Sequence, residues 1–293
     1  MKRTLAIILA LLPLAAHAVQ AKPLERSEIR TESLKSSVLG EEVPYNVYLP
    51  SGYDDDAATA YPVIYLLHGL TDTYDSWQTK GQMKNVADLL MASGECRRAV
   101  IVMPNAGHPD CRNVLNGYFN QPGRAYEDFF FGEFIPEVEK RYRIAGDKAH
   151  RAIMGLSMGG GGSTVYCQRH PEMFSSCYCM SGWLDQEVEE GAAPRDMLEQ
   201  ECLSVHEHSA LEFLRNADDA TLEKLRTVKW FFDCGDDDYL LQLTLDMHML
   251  MREKEVKGEL RVRDGWHFWE YWHSALRTAL AFASRNFPDE LPE

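Results

Sequence analysis

Residues 155–160 read Gly-Leu-Ser-Met-Gly-Gly, and this stretch decides the fold. The apolar run over residues 151–154 predicts a buried strand before it, and residues 161–167 predict the start of a helix after it. A serine with glycines two positions before and two after, on a strand-to-helix turn, is the nucleophile-elbow pattern. Side chains at positions 155 and 159 would collide with the neighbouring strand and helix, so we expect a strained backbone at Ser157. A flexible Gly-Ser loop is the alternative, but the flanking strand and helix favour a catalytic serine at the carboxyl edge of a sheet.

Strands and helices alternate on both sides of this turn. The predicted strands cover residues 43–50, 62–67, 99–103, 151–154, 176–180, 228–233 and 259–263. The predicted helices cover residues 80–93, 126–141, the segment after Ser157, 240–256 and 268–286. A linker is expected before residue 43, and a loop over residues 105–124. This alternation predicts an α/β fold with a mostly parallel central sheet and helices on both faces.

One long segment interrupts the alternation. Residues 184–226 carry acidic, helix-forming sequence without a strand of their own, and they are longer than a single crossover requires. We therefore predict a small helical cap over the edge of the sheet. His206 and His208 lie in this segment at a spacing that could suit a metal, but two surface histidines are favoured because no third ligand is near. The acidic turn at residues 54–56 is likewise favoured as a solvated loop over a calcium site, so no metal is predicted.

The first residues predict an export signal. Lys2 and Arg3 supply the positive charge, residues 5–14 form a short apolar core, and residues 16–18 read Ala-His-Ala, a typical cleavage site. The apolar core is too short to span a bilayer as a stable helix. We expect a signal peptide over residues 1–18 with cleavage after Ala18, Ala21 being the second choice. The product is then periplasmic or secreted, with no membrane span and a single catalytic domain over residues 19–293.

The charge balance limits the class of partner. The chain has 45 acidic and 30 basic residues, a formal net charge of −15. A protein that follows a nucleic-acid backbone needs a clustered basic surface, and the sequence offers none, so nucleic acid is not an expected partner. The acidity favours solubility and disfavours highly anionic partners.

Seven cysteines are present, an odd number that cannot pair completely within one chain. Cys177 and Cys179 share one face of a predicted strand and are expected to pack as small hydrophobic side chains. A bridge between Cys96 and Cys111 is conceivable, but buried free thiols are favoured. A zinc site is not predicted because no paired C-x-x-C spacing occurs.

A serine hydroxyl is a weak nucleophile unless a base takes its proton and a third group orients that base. In the chain order typical of strand-based serine hydrolases, the acid follows the serine and the histidine comes last. His267 lies in a Gly-containing loop after the last predicted strand, so it is the natural base. Weaker candidates are His68, His170 and His273. Chain order alone does not identify the acid that orients His267, because three candidates, Asp236, Asp237 and Asp238, lie in one turn.

The tetrahedral intermediate of acyl transfer needs two N–H donors aimed at its oxyanion. Met158 directly follows the proposed nucleophile at the amino end of a helix, so its amide is one expected donor. The other is the amide of Leu70, in the loop after the strand 62–67, where Gly69 permits close approach of the backbone.

Several blocks of this sequence together resemble the esterase D-related family of α/β-hydrolases. The blocks lie at residues 65–70 with Trp77, 134–142, 151–160, 234–240 and 265–269, within a resemblance that runs from Val43 to Arg285. The family includes the feruloyl and acetyl xylan esterases of carbohydrate esterase family one, tributyrin-type carboxylesterases, S-formylglutathione hydrolases and mycolyltransferases. The resemblance implies the α/β-hydrolase fold and serine-dependent ester hydrolysis without a metal or organic cofactor. It also implies that Asp238 is the acid, because the family's aspartate directly precedes an aromatic-leucine pair.

The expected function is that of an exported carboxylesterase acting through an acyl-enzyme on Ser157, with His267 as base and Asp238 as its partner. Export favours feruloyl or acetyl esters of plant polysaccharide, or related small esters, as substrates. Two alternatives remain: an acyltransferase that uses the same triad with a sugar acceptor, and a non-catalytic hydrolase-like protein that binds carbohydrate or a partner. Aromatic side chains that could hold an acyl ring are Trp183, Tyr118, Phe119 and Tyr126. For each of these, ordinary packing is the favoured alternative.

Overall fold

The computed structural model describes residues 26–289 apart from Asp56, Glu190 and Ala192. The predicted signal peptide over residues 1–18 lies outside the described residues. No helix of the described part is both long and apolar enough to cross a bilayer.

Within the described residues, eight strands form one central sheet in the order β1-β2-β4-β3-β7-β8-β9-β10. Strand β2 runs antiparallel to both of its neighbours, and the other pairings are parallel. A separate two-stranded hairpin is formed by β5 and β6. The strands are β1 Glu28–Lys35, β2 Glu42–Leu49, β3 Val63–Leu67, β4 Val100–Met103, β5 Asn120–Gln121, β6 Arg124–Ala125, β7 Arg151–Leu156, β8 Ser176–Met180, β9 Lys229–Gly235 and β10 Gly258–Arg263.

Helices cover both faces of this sheet. They are α1 Ser76–Thr79, α2 Met83–Ser93, α3 Tyr126–Phe129, α4 Ile135–Arg141, α5 Met158–Arg169, α6 Met197–Glu207, α7 Ala210–Arg215, α8 Asp219–Leu225, α9 Leu241–Glu253 and α10 Trp269–Arg285. A π-helical stretch, Phe130–Phe134, joins α3 to α4, and a 3₁₀ turn, Lys148–His150, precedes β7.

The two faces of the sheet carry two hydrophobic cores. Alternate side chains of the apolar strand β3 enter each core: Val63 and Tyr65 pack on the face of α5 and α9, and Ile64 and Leu66 pack on the face of α2 and α10. Because both faces are buried, the central strands are continuous apolar runs instead of alternating ones. The sequence prediction of a mostly parallel sheet with helices on both faces is confirmed.

The segment 184–226 contains α6, α7 and α8 and, in its described part, no strand, as predicted. Hydrogen bonds attach it to the rest of the molecule. Gln168 of α5 donates to the carbonyl of Ala210, and the amide of Met197 donates to the carbonyl of Arg112. On α6, the side chain of Glu201 accepts from Gln121 of the β5–β6 hairpin.

Three expectations about the amino-terminal half are corrected. Residues 28–35, expected to be a linker, form the edge strand β1, which pairs with β2 from Glu28–Leu49 to Lys35–Glu42. Most of the side chains of β1 are exposed or half-buried, and such an edge strand lacks the apolar run that marks the central strands. The predicted loop 105–124 contains β5, and the predicted helix 126–141 is interrupted by its π-helical stretch.

All seven cysteines lie within the described residues, and all of them are free. Cys177 and Cys179 are buried in the same core, as predicted from their spacing. Cys96 is buried and Cys111 is half-buried, and no bridge joins them.

Candidate active site

Ser157 occupies the turn between β7 and α5 and has a backbone φ of 53° and ψ of −119°. This conformation is rare for a residue with a side chain and costs on the order of 1–3 kcal/mol. Close packing imposes it. A Cβ at Gly155 would lie 2.3 Å from the carbonyl oxygen of Gly159, and a Cβ at Gly159 would lie 2.5 Å from that of His68. The predicted collisions and the predicted strain are therefore both present.

The imidazole of His267 joins Ser157 to Asp238. Its Nε2 lies 2.9 Å from Ser157 Oγ, and its Nδ1 lies 3.0 and 2.9 Å from the two carboxylate oxygens of Asp238. In the tautomer that satisfies all three contacts, Nδ1–H donates to Asp238 and Nε2 accepts from the serine hydroxyl. Residues separated by 110 positions in the chain thus meet at the carboxyl edge of the sheet.

The three competing carboxylates occupy different environments. The side chain of Asp238 is fully buried, whereas Asp236 and Asp237 are exposed. Asp236 accepts from the amide of Gly265 at 3.0 Å, so it braces the loop that carries His267. Burial by itself raises the pKa of Asp238, but hydrogen bonds from His267, from the Leu240 amide and from Ser181 outweigh it and lower that pKa below its ordinary value. Asp238 is thus held as a carboxylate against the imidazole.

Ser181 is a part of this site that the sequence analysis missed. It follows β8 with a φ of 46°, is fully buried, and hydrogen-bonds to Asp238. Its hydroxyl accepts from Trp272 Nε1 at 3.1 Å, and the ring of Trp272 packs edge-on against the imidazole of His267 at 4.8 Å. The available signal was its position directly after a buried strand, where side chains reach the same sheet edge as Ser157.

The loop after β3 lies directly beside Ser157. A Cβ at Gly69 would lie 3.5 Å from Ser157 Cβ, and Leu70 is the next residue. The amide of Asp72 closes the turn by donating to the carbonyl of Gly69, with Thr71 at a φ of 65°. Met158 is the first residue of α5, so its amide is one of the orphan donors at a helix amino end. The two predicted oxyanion donors therefore flank Ser157, and their role stays a prediction.

The other histidines of the sequence analysis do not contact Ser157. His68 is buried, and burial lowers its pKa to about 4. The neutral ring donates from Nδ1 to the carbonyl of Gly69 and accepts at Nε2 from the amide of Ala106, so it fixes the loop beside the serine. His273 contacts the carbonyl of Gly81, and His170 lies beside Glu172.

Histidines of the cap segment also have local partners. His206 is exposed, and its Nδ1 contacts the carbonyl of Gln186. His208 is half-buried, and its ring stacks on Phe119 at 4.4 Å with an interplanar angle of 6°. His206 therefore lies at the surface, as expected, and His208 is partly exposed.

The predicted acyl-contact aromatics separate into two groups. Tyr118, Phe119 and Tyr126 are 1%, 4% and 0% exposed and belong to the hydrophobic core, where the hydroxyl of Tyr118 donates to the carbonyl of His68. Their burial favours the packing interpretation. Trp183 is half-buried, and its amide donates to the carbonyl of Ser157 at 3.0 Å, which places it beside the site.

Among the described residues, Asp236, Asp237 and Asp264 are the carboxylates that come close enough to one another to share a cation, within 4.8 Å. All three are exposed, and Asp236 already binds the Gly265 amide. An exposed acidic turn of this kind is a solvated surface feature.

Comparison with known families decides the identity of this arrangement. The model of the family described as "Putative esterase" matches residues 36–283. The chain belongs to this esterase family. A solved structure of a ferulic acid esterase is 45% identical to it, has a TM-score of 0.85, and is matched over 90% of this chain and 100% of that chain. The sheet described above is the α/β-hydrolase fold of that esterase.

More distant relatives match parts of this esterase-family chain. An endo-1,4-beta-xylanase/feruloyl esterase of Xylanibacter ruminicola is 30% identical over 177 residues, which are 59% of this chain and 24% of that protein. An esterase of Mycobacterium tuberculosis is 31% identical over 148 residues, 50% of this chain and 31% of that protein. The chain thus spans about a quarter to a third of the length of these curated relatives. An S-formylglutathione hydrolase of Staphylococcus aureus, 19% identical with a TM-score of 0.70, shares the fold.

Proposed function

We propose that this protein is a serine carboxylesterase that works through an acyl-enzyme on Ser157. The single observation that carries the proposal is the 2.9 Å contact between Ser157 Oγ and His267 Nε2, with Asp238 on the opposite nitrogen of the same ring. Ser157 Oγ attacks the ester carbonyl while His267 Nε2 takes its proton. The carboxylate of Asp238 holds the imidazole in the required tautomer and stabilises its charge.

The tetrahedral intermediate then collapses. Its oxyanion accepts hydrogen bonds from the amides of Leu70 and Met158, and each such donor contributes about 2.7–4 kcal/mol of transition-state stabilisation. His267 returns the proton to the departing alcohol, and the acyl group stays on Ser157 as an ester. A water molecule activated by His267 attacks this ester and releases the carboxylic acid, which regenerates the hydroxyl of Ser157.

The substrate class proposed is feruloyl or acetyl esters of plant polysaccharide. The support comes from two relatives, a ferulic acid esterase and an endo-1,4-beta-xylanase/feruloyl esterase. An exported enzyme would meet such polymers directly, and the sequence of residues 1–18 favours export. We propose that residues 19–293 form its single catalytic domain, with the cap segment 184–226 inserted in it. Trp183 is proposed as an acyl-group contact because of its position beside Ser157.

A panel assay of the purified protein tests the proposal. The substrates are p-nitrophenyl acetate and butyrate, methyl ferulate and acetylated xylan, each assayed with wild type and with Ser157→Ala. Turnover of the responsive esters should fall about 10⁴-fold or more in the variant, because the nucleophile is lost. Ser175→Ala provides the matched control, since its buried hydroxyl donates to the Arg151 carbonyl at the far end of β7. Wild-type rates in Ser157→Ala would disprove the assignment.

A further inference from the structure

Two aromatic side chains contact the imidazole of His267, and their environments differ. The ring of Trp272 packs edge-on at a centroid distance of 4.8 Å, is 5% exposed, and donates from Nε1 to Ser181 Oγ. The ring of Tyr239 lies 4.5 Å from the imidazole at an interplanar angle of 43°, and this side chain is 74% exposed. Trp272 is therefore held by the core, whereas Tyr239 is the solvent-facing neighbour of the base.

The turn that supplies Asp238 also places Tyr239. The amide of Asp238 donates to the carbonyl of Gly235. The amide of Leu240 donates to the Asp238 carboxylate, and that of Leu241 donates to the Asp238 carbonyl. These bonds fix the backbone on both sides of Tyr239. Its hydroxyl makes no hydrogen bond to any residue that the structure describes, so the ring itself is the part of the side chain that acts on the imidazole.

The hydrogen bonds of the triad leave one motion of the imidazole open. Nε2 is held by Ser157 and Nδ1 by Asp238, and a ring held at two points can still tilt about the line that joins them. Such a tilt worsens the hydrogen-bond angles at both nitrogens. Neighbouring rings oppose the tilt, because their contacts with the imidazole are lost or become clashes as its plane turns.

The proposed reaction also places a positive charge on this imidazole, once when Ser157 attacks the ester and again when water attacks the acyl-enzyme. A cation within about 6 Å of an aromatic centroid is attracted by the π-electrons of the ring. Tyr239 lies inside this distance. We propose that Tyr239 is a positioning residue for His267, whose ring opposes the tilt of the imidazole and stabilises its charge in both steps. This inference rests on the proposed esterase function.

Replacement of the ring tests this role. Tyr239→Ala and Tyr239→Leu should each lower kcat and kcat/KM for p-nitrophenyl acetate about fivefold, with KM kept within about twofold, because the lost interaction is strongest when the imidazole is charged. Tyr239→Phe retains the ring and should keep kcat within about twofold of wild type. Met249→Ala, which removes a side chain 60% exposed on α9, should match wild type. Wild-type rates in Tyr239→Ala or Tyr239→Leu, or a loss that persists in Tyr239→Phe, would overturn the proposal.

A change of alcohol distinguishes positioning from contact with the substrate. A ring that acts through His267 affects esters of different alcohols alike. The loss of kcat/KM in Tyr239→Ala should therefore agree within about twofold between p-nitrophenyl acetate and ethyl acetate. A loss that lies in KM and differs between the two esters would make Tyr239 a substrate contact instead. Since the side chain is 74% exposed, thermal melts of Tyr239→Ala and wild type should coincide.

A measurement without an ester separates this inference from the proposed function. A fluorophosphonate reacts with an activated serine: the Oγ–P bond forms, fluoride leaves, and His267 takes the hydroxyl proton. Mass spectrometry of the intact protein gives the labelling rate, and Ser157→Ala shows whether Ser157 is the labelled group. Slower labelling of Tyr239→Ala, with recovery in Tyr239→Phe, supports the positioning role even if no ester is turned over. Equal labelling rates in all Tyr239 variants would overturn that role and leave the esterase function intact, whereas no labelling of wild type would overturn both.

Discussion

The carboxylate of Asp238 accepts from His267 Nδ1 and from the amide of Leu240, and its side chain is fully buried. Asp236 and Asp237 have the same chemistry two positions and one position earlier, but they face solvent. The tight turn that begins at Gly235 produces this difference, because it directs only the third carboxylate inwards. Physical reasoning on the sequence could place the acid in the turn, but could not choose among three identical groups whose burial depends on the folded backbone. The family resemblance predicted Asp238, and the hydrogen-bond geometry is consistent with that role.

Substitution of these carboxylates tests the choice of acid. Asp238→Asn should lower kcat by about 10⁴-fold, since an amide at this place favours the wrong imidazole tautomer. Asp236→Asn should change kcat by less than about tenfold, because it alters only the contact with the Gly265 amide. Steady-state kinetics on the best ester of the panel, with folding checked by circular dichroism, measure both. Equal losses in the two variants would mean that Asp238 is not the acid.

At the scale of elements, four consecutive glycines follow Met158 at the start of helix α5, and each disfavours a helix by about 1 kcal/mol relative to alanine. Packing explains this composition. A Cβ at Gly161 would lie 2.2 Å from the carbonyl oxygen of Trp183, and one at Gly160 would lie 2.9 Å from the Cα of Gly182. The glycines let α5 approach the segment that carries Ser181 and Trp183. The glycines therefore lower the intrinsic stability of α5, but they permit the close packing that positions the proposed nucleophile.

A pair of glycine substitutions with opposite expected signs tests this argument. Gly161→Ala should destabilise the protein by about 1–3 kcal/mol, because the clash is with backbone that cannot rotate away. Gly132→Ala should instead stabilise it by about 0.4–1 kcal/mol, since nothing lies within 4 Å of the added methyl group. Urea unfolding with a common m-value measures both changes. A neutral Gly161→Ala variant would show that the approach of α5 is not tight.

The sequence predicted the elements whose hydrophobic pattern is strong. The central strands and helices α2, α5, α9 and α10 all lie within a few residues of their predicted bounds. Strand β1 was missed because an edge strand with charged, half-exposed side chains has the composition of a linker. The hairpin β5–β6 was missed because each of its strands has only two residues, too few for any periodic signal.

At the scale of the whole molecule, the candidate site is assembled from the carboxyl ends of five strands. β3 leads to the loop of Leu70, β7 to Ser157, β8 to Ser181, β9 to Asp238 and β10 to His267. Parallel strands place all these ends at one edge, so residues remote in the chain converge without any special local sequence. This convergence follows from the predicted fold class. The choice of side chains that touch, such as Ser181 with Asp238, follows only from the packed structure.

The cap segment is tied to the body through a buried acid. Glu201 of α6 is 1% exposed, its Oε2 accepts from Gln121 Nε2 at 2.6 Å, and among the described residues its Oε1 has no hydrogen-bond partner. Burial raises the pKa of Glu201 to about 8, although Gln121 and Arg124 act in the opposite direction. The side chain is therefore protonated in the folded protein at neutral pH. In the unfolded chain it ionises near its ordinary pKa of 4.5.

This shift makes the stability of the folded protein depend on pH. Between about pH 4.5 and 8 the folded state holds one proton that the unfolded chain has released, so the contribution of Glu201 to stability falls as pH rises through this window. Glu201→Gln, which resembles the protonated acid, removes that dependence. The melting temperature of Glu201→Gln minus that of wild type should therefore rise from pH 5 to pH 8, and the rise should amount to a few degrees at pH 8. Glu207→Gln, an exposed position on the same helix, should show no such trend in the same series of thermal melts. Parallel pH curves for wild type and Glu201→Gln would mean that Glu201 is already ionised in the folded protein and that its contact with Gln121 is a charged one.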